Sequence, residues 1–166
     1  MTHTTADVYS AESEWRDLLD QCREGSTVVN VLGSSLTLDT DRKFGNLDNV
    51  QRYVNRVLLL PSVQDRWERS ITPLKVRERR GATEAHYQPW NSTIAVPTLR
   101  QGSTWAMREA VILHEVSHHL SSPGVHHEAE FVGNFIDLVE IVMSPEHAFA
   151  LRVCMMRQGV ETPALV

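Results

Sequence analysis

His114-Glu115-Val116-Ser117-His118, continued by His119-Leu120-Ser121-Ser122-Pro123-Gly124-Val125-His126-His127-Glu128-Ala129-Glu130-Phe131, decides how this chain is read. His114 and His118 stand four residues apart, which on a helix puts both imidazoles on one face, able to grip one Zn2+. A catalytic zinc usually takes three protein ligands and leaves a further position to water, so the chain must bring a third donor back to the ion. Pro123 cannot continue a helix and Gly124 tolerates positive φ, so the helix is expected to end near residues 120–122 and the backbone to reverse. His126 and His127 then arrive as candidates for the third ligand. His119 lies about 100° round the helix from His118 and is expected to make a core hydrogen bond rather than to ligate.

A HExxH string also arises by chance in proteins that bind no metal. Here it follows an apolar run, residues 105–113, in which Ala106, Ala110 and Leu113, with Leu120 beyond, recur at helical spacing and form a stripe that can be buried beside the ligand face. Glu115, next to His114, can reach the open coordination position without occupying it, which suits a general base and acid; an ion-paired surface glutamate is the plainer alternative. Upstream, His86 and Tyr87 occupy a strand-like segment and alternation puts them on opposite faces. Either can donate a hydrogen bond to a developing oxyanion and either can be an ordinary sheet residue. Tyr87 is the expected donor, because a histidine there would compete for the metal.

Whole-chain properties bound these readings. At 166 residues the chain is of single-domain size, and one domain over 1–166 is expected. Hydrophobic content of 42% and charged content of 22% are globular values, and no apolar run approaches the ~20 residues needed to span a bilayer. The first residues lack the basic start and apolar run of a secretory signal, so a cytoplasmic protein is expected, with no membrane partner. Cys22 and Cys154 are far apart and suit reduced thiols. A formal net charge of −5 argues against general affinity for nucleic acid; the basic run Lys75-Val76-Arg77-Glu78-Arg79-Arg80 reads as the solvated face of a strand.

Taken in order, residues 8 to about 23 form an amphipathic helix on Val8, Trp15, Leu18, Leu19 and Cys22, with Gly25 as a stop. Residues 27–32 and 35–38 are two short strands or one bent strand. Leu47, Val50, Val54, Val57 and Leu58 make a helical face closed by Pro61, and a short helix carrying Val63 and Trp67 follows. Residues 74–79 and 84–88 read as strands of a hairpin about Arg80-Gly81-Ala82, and residues 92–96 as a further strand ahead of the motif helix. Phe131, Phe135, Leu138 and Val142 return to helical spacing, and Ser144-Pro145-Glu146 opens a last helix with Phe149, Val153 and Met156 as its apolar face. The expectation is an α+β fold, a small mixed β-sheet packed on helices with the HExxH helix at its centre.

The HExxH segment followed by His127-Glu128-Ala129-Glu130-Phe131, an HxxxF segment, resembles the zincin pattern of SprT-like metalloproteases, in which the histidine of HxxxF is the third ligand. That resemblance implies His127 rather than His126. Over residues 53–160 the chain is also similar to a family of small actinobacterial zinc metallohydrolases, through Ala85-His86-Tyr87, Ile94-Ala95-Val96-Pro97, the HEVSHHL segment, residues 127–131, and Ser144-Pro145-Glu146-His147-Ala148-Phe149-Ala150-Leu151-Arg152. It implies a zincin-like fold with one Zn2+ per chain held by His114, His118 and His127. Where such families commonly carry glycine after the third histidine this chain has Glu128, a second carboxylate near the ion.

The expected activity is therefore that of a zinc metallopeptidase, with Glu115 as general base and Tyr87 as oxyanion donor. A peptide or protein substrate is expected because the strand at residues 92–96, as in zincins, would offer an exposed edge to an extended chain. Hydrolysis of a non-peptide amide or of RNA, and a zinc-stabilised binding module without catalysis, are the rivals. Glu140, 22 residues after His118, is the alternative third ligand of a two-histidine, one-glutamate site.

Overall fold

The computed structural model describes residues 2–22, 27–81, 83–98 and 106–164. Gly25, Ala82 and Trp105, used above as a helix stop, a turn residue and the start of an apolar run, lie outside them. The architecture is α+β, with six α-helices and two small sheets among the described residues. By contact, the chain falls into two compact units: residues 1–41 with 126–166, and residues 42–125.

In the first unit, helix α1 (Thr5–Gln21) starts at a reciprocal cap. The Thr4 hydroxyl is placed to accept the Asp7 N–H at 3.2 Å, while the Asp7 carboxylate accepts the Thr4 N–H at 2.7 Å, and hydrogen bonds from the Thr4 N–H and then its hydroxyl hold the Asp7 carboxyl below its ordinary range. Val8, Ala11, Trp15 and Leu19, one helical stripe, are buried. Strands β1 (Thr27–Val31) and β2 (Ser34–Leu38) form a two-stranded antiparallel hairpin, so the segment is two strands rather than one bent strand. The turn between them needs positive φ at both Leu32 (48°) and Gly33 (79°), which glycine adopts freely and leucine does not.

Helices α5 (Ala129–Val142) and α6 (Pro145–Arg157) complete this unit. Ser144 caps α6 by accepting the His147 N–H, with Pro145 in the first turn where its missing N–H is harmless. Of the apolar face expected on Phe149, Val153 and Met156, Val153 is buried and Phe149 half-buried but Met156 is largely exposed, and burial extends to Ala148, Leu151, Cys154 and Met155. The reason is that α6 packs against both α1 and α5 and is covered on two sides. Trp15 meets Phe135 edge-on at 5.9 Å in this core. Both cysteines are free thiols and buried, and burial pushes the Cys154 thiol up to about 12.

In the second unit, α2 (Leu47–Leu58) buries Val50, Tyr53, Val54, Val57 and Leu58; α3 (Pro61–Arg66) and a 3₁₀ turn (Glu68–Ile71) follow. Strands β3 (Lys75–Glu78), β4 (His86–Gln88) and β5 (Thr93–Val96) form a mixed sheet in the order β3-β5-β4, β5 running parallel to β3 and antiparallel to β4. The expected hairpin between the first two of these strands is therefore not formed. All four residues of β5 are buried while β3 alternates exposed and half-buried, so β5 takes the inner place and β3 an edge. That edge is closed by the Gln51 side chain of α2, which donates to the Leu74 carbonyl at 2.9 Å and accepts the Val76 N–H at 2.7 Å. Helix α4 (Glu109–Leu120) carries the HExxH segment and packs on β4, the 3₁₀ turn and α2.

Candidate metal centre

Helix α4 is buried almost all round: among its twelve residues only His118 keeps intermediate exposure. A helix enclosed in this way must satisfy its polar side chains internally. Ser117 does so by returning its hydroxyl to the Leu113 carbonyl at 2.8 Å, and Ser121 to the Ser117 carbonyl at 2.8 Å. The helix ends at Leu120, and the reversal runs through a turn in which the Val125 N–H reaches the Ser122 carbonyl and Gly124 takes φ +86°. The Pro-Gly reading of the helix end thus holds, with Gly124 supplying the left-handed residue.

The i, i+4 spacing brings the Nε2 atoms of His114 and His118 to 3.1 Å. His127 sits just before Glu128, the N-cap residue of α5, and its ring is flanked by Phe131 at 4.9 Å and Tyr9 at 5.1 Å. Phe131, fully buried, is the final residue of the HxxxF segment; its ring fixes the imidazole one turn before it. His3 reinforces the placement by donating from Nε2 to the His127 carbonyl at 2.7 Å. Ring nitrogens of His114, His118 and His127 all lie within 4.8 Å of one another, and this three-histidine group can hold a metal ion. A tetrahedral zinc with N ligands at ~2.0–2.1 Å needs nitrogen separations of about 3.3 Å, close to the His114–His118 distance, and an all-imidazole donor set suits zinc.

His126 is exposed and gives its backbone N–H to the Glu128 carboxylate at 2.6 Å. Backbone hydrogen bonds, from Glu128 itself and from His126, hold the Glu128 carboxyl below its ordinary range. Glu128 is thereby folded onto its own turn, and neither His126, Glu128 nor the exposed Glu140 belongs to the three-residue group.

Glu115 is buried, 7% exposed, and its Oε2 accepts the Tyr87 backbone N–H at 2.8 Å. The neighbouring histidine, His119, is completely buried and bonded at both ring nitrogens: Nε2 lies 3.0 Å from the Thr72 carbonyl and Nδ1 3.2 Å from the Tyr87 hydroxyl. A carbonyl can only accept, so Nε2 carries the proton and Nδ1 accepts from Tyr87. Burial, its largest cause, lowers the His119 pKa, in keeping with a neutral ring. Arg69 then donates from Nε to the His119 carbonyl at 2.8 Å, satisfying a helix-terminal acceptor.

Tyr87 accordingly touches three features of α4. Its N–H holds Glu115, its hydroxyl is given to His119, and its ring lies parallel to that of His118, 3° between planes and 6.4 Å between centroids. The expected role of oxyanion donor meets an obstacle here, since the single phenolic proton is already committed to His119 Nδ1. His86 is exposed, on the other face of the strand, as alternation required; burial, then Arg79 and Arg77, lower its pKa. Sequence reading missed Arg69 and Thr72, whose contacts are through backbone carbonyls and leave no side-chain pattern to find. No family model matches the chain, and neither a curated protein nor a solved structure does.

Proposed function

We propose that the protein is a zinc-dependent hydrolase with a zincin-like active-site helix, in which His114, His118 and His127 hold the ion and Glu115 is general base and general acid. The observation that carries this reading is the convergence of three imidazoles next to a buried carboxylate whose orientation is fixed by a backbone N–H. Held by His114, His118 and His127, zinc would supply a Lewis acid able to lower the pKa of a water molecule toward ~7 and to polarise a substrate carbonyl. Glu115 takes the proton of the nucleophile and returns it to the leaving group. A backbone amide proton is not transferable at neutral pH, so the Tyr87 N–H orients the Glu115 carboxylate without neutralising it. Tyr87 further stacks on the His118 ring, and Phe131 with Tyr9 orients His127; both are supports that fix ligand direction.

A peptide substrate cannot be argued from β5, because that strand is the inner one of its sheet. Strand β4 supplies a better argument. Its Tyr87 N–H is already bonded to Glu115, so β4 argues by position and not by strand addition: a peptide backbone held next to this strand would lie beside the general base. The test is metal analysis of the purified chain followed by a peptide-library digest with the wild type and the Glu115→Gln variant. About one zinc per chain and cleavage abolished only in the variant are expected. Equal turnover in both, or metal retained in His127→Ala and lost in His126→Ala, would overturn the assignment; cleavage of RNA or of non-peptide amides alone would keep the hydrolase and remove the peptidase.

A further inference from the structure

A second polar concavity lies wholly within residues 42–56 and uses none of the histidines. It encloses about 470 Å³, within the usual size of a small-molecule site, and is walled by Arg42, Lys43, Phe44, Arg52, Tyr53 and Arg56, with Asn49 beside them. Four cations line it and no carboxylate does, in a chain that carries 21 acidic residues against 16 basic ones. Asn49, Arg52 and Arg56 follow one another at helical spacing on the exposed side of α2. Like charges at i, i+4 destabilise a helix, and an ordinary solvated face would intersperse them with partners. Asp48, four residues before Arg52, is placed to pair with it but lines a neighbouring pocket instead. Among the described residues no carboxylate is ion-paired to Arg42, Arg52 or Arg56.

The opposite wall is pinned by backbone. The Arg42 N–H donates to Glu109 Oε2 at 3.1 Å, the Glu109 N–H to the Arg42 carbonyl at 2.8 Å, and the Phe44 N–H to the Met107 carbonyl at 2.8 Å. Phe44, half-buried, leans on Tyr53 at 5.0 Å, and the Arg42 guanidinium lies 5.9 Å from the Tyr53 ring. The floor is therefore rigid and aromatic, and the charged rim is open to solvent.

We infer that this pocket binds a small phosphorylated molecule of the nucleotide class, its phosphates on Arg42, Arg52 and Arg56 and its planar base against Phe44. Arginine forks match phosphate oxygens in pairs, and three arginines are balanced by a group bearing at least two negative charges rather than by one carboxylate. The limited size of the pocket and the negative net charge of the chain favour a small ligand over an extended nucleic acid.

The experiment is calorimetric titration of the full chain with ATP, AMP, pyrophosphate and adenosine, repeated in salt on the order of 0.5 M, where exposed charges are screened. Pyrophosphate and ATP should bind, adenosine should not, and salt should weaken both. Arg52→Ala and Arg56→Ala should each weaken ATP at least about tenfold with an unchanged circular dichroism spectrum, since each removes a charge-assisted contact. Phe44→Leu should weaken ATP but leave pyrophosphate unaltered, which separates base from phosphate recognition. Absence of phosphate binding at about 1 mM, or binding undiminished in the Arg52→Ala/Arg56→Ala double variant, overturns the inference. So does tighter binding of a single-stranded oligonucleotide or an acidic peptide lost in the same variants, which would reassign the pocket to a macromolecular partner.

Discussion

Glu109 and Glu115 lie on one helix, six residues apart, and are buried almost equally, 5% and 7% exposed. Their surroundings give them opposite characters. Glu109 opens α4 and is held at both oxygens, Oε1 by the Tyr53 hydroxyl at 2.5 Å and Oε2 by the Arg42 N–H at 3.1 Å. Tyr53 comes from α2 and Arg42 from the loop before it, so this carboxylate is a knot that ties two distant segments to the start of the motif helix. Glu115 has the Tyr87 N–H on Oε2 and lies on the same helix one residue after His114 and three before His118. Burial of a carboxylate is thus no signature of catalysis by itself; the proton-handling role proposed for Glu115 and not for Glu109 rests on the neighbouring histidines.

The comparison breaks most sharply at Glu115. Glu115→Gln keeps shape and the Tyr87 contact but removes the base, so turnover should fall by a factor on the order of 10² or more while metal content and thermal midpoint stay near wild type. Steady-state rates with elemental analysis on the same preparation check it, and parallel loss of metal would make Glu115 a structural residue like Glu109.

Removal of the third imidazole comes next. His127→Ala should lower metal affinity with little change in the α5 helix, because Phe131 remains packed in its core; His126→Ala should retain metal, its side chain being exposed. Competition with a chromogenic chelator measures both.

Glu109 supplies the converse. Glu109→Ala strands a buried tyrosine hydroxyl and a backbone N–H, and should cost about 1.5–3 kcal/mol of unfolding free energy while activity per folded molecule is retained. Denaturant titration reads the first and rates corrected for folded fraction the second. In a double-mutant cycle with Tyr53→Phe the two losses should be less than additive, since each removes the same bond. Full additivity would show that the 2.5 Å contact contributes nothing to the pair.

The helix that carries these two glutamates was legible in the sequence because its determinants are local: the i, i+4 histidines and the Pro-Gly stop act within a few turns, although the expected stripe began at Ala106, ahead of the first helical residue, and the helix is buried almost all round. The sheet was less so. Gly81 does turn, with φ +71°, yet β4 passes to the far side of β5, and only the complete burial of β5, a property of the finished fold, places it in the middle. Glu109 gave no signal either, because a glutamate in the first turn of a helix ordinarily faces water and suits the helix dipole. Its burial depends on Tyr53, 56 residues earlier. The geometry of Tyr87 was half legible: alternation set it opposite His86, but nothing in the spacing revealed that His119 would take its proton.

That last contact gives the smallest and most discriminating effect. Tyr87→Phe deletes one hydroxyl and leaves the backbone N–H on Glu115 and the ring beside His118 in place. If the hydroxyl serves His119, as the 3.2 Å distance and the Nε2 proton on Thr72 imply, the variant leaves a buried Nδ1 acceptor unmet and should lose about 1 kcal/mol of stability, with turnover within about threefold of wild type. If the hydroxyl leaves His119 during the reaction to stabilise an oxyanion, kcat should instead fall by roughly ten- to a thousandfold at unchanged KM. Measuring both quantities on one preparation separates the roles. His119→Gln adds a control, because it alters the acceptor and retains the tyrosine: a stability loss there that vanishes in the Tyr87→Phe background would assign the hydroxyl to the core.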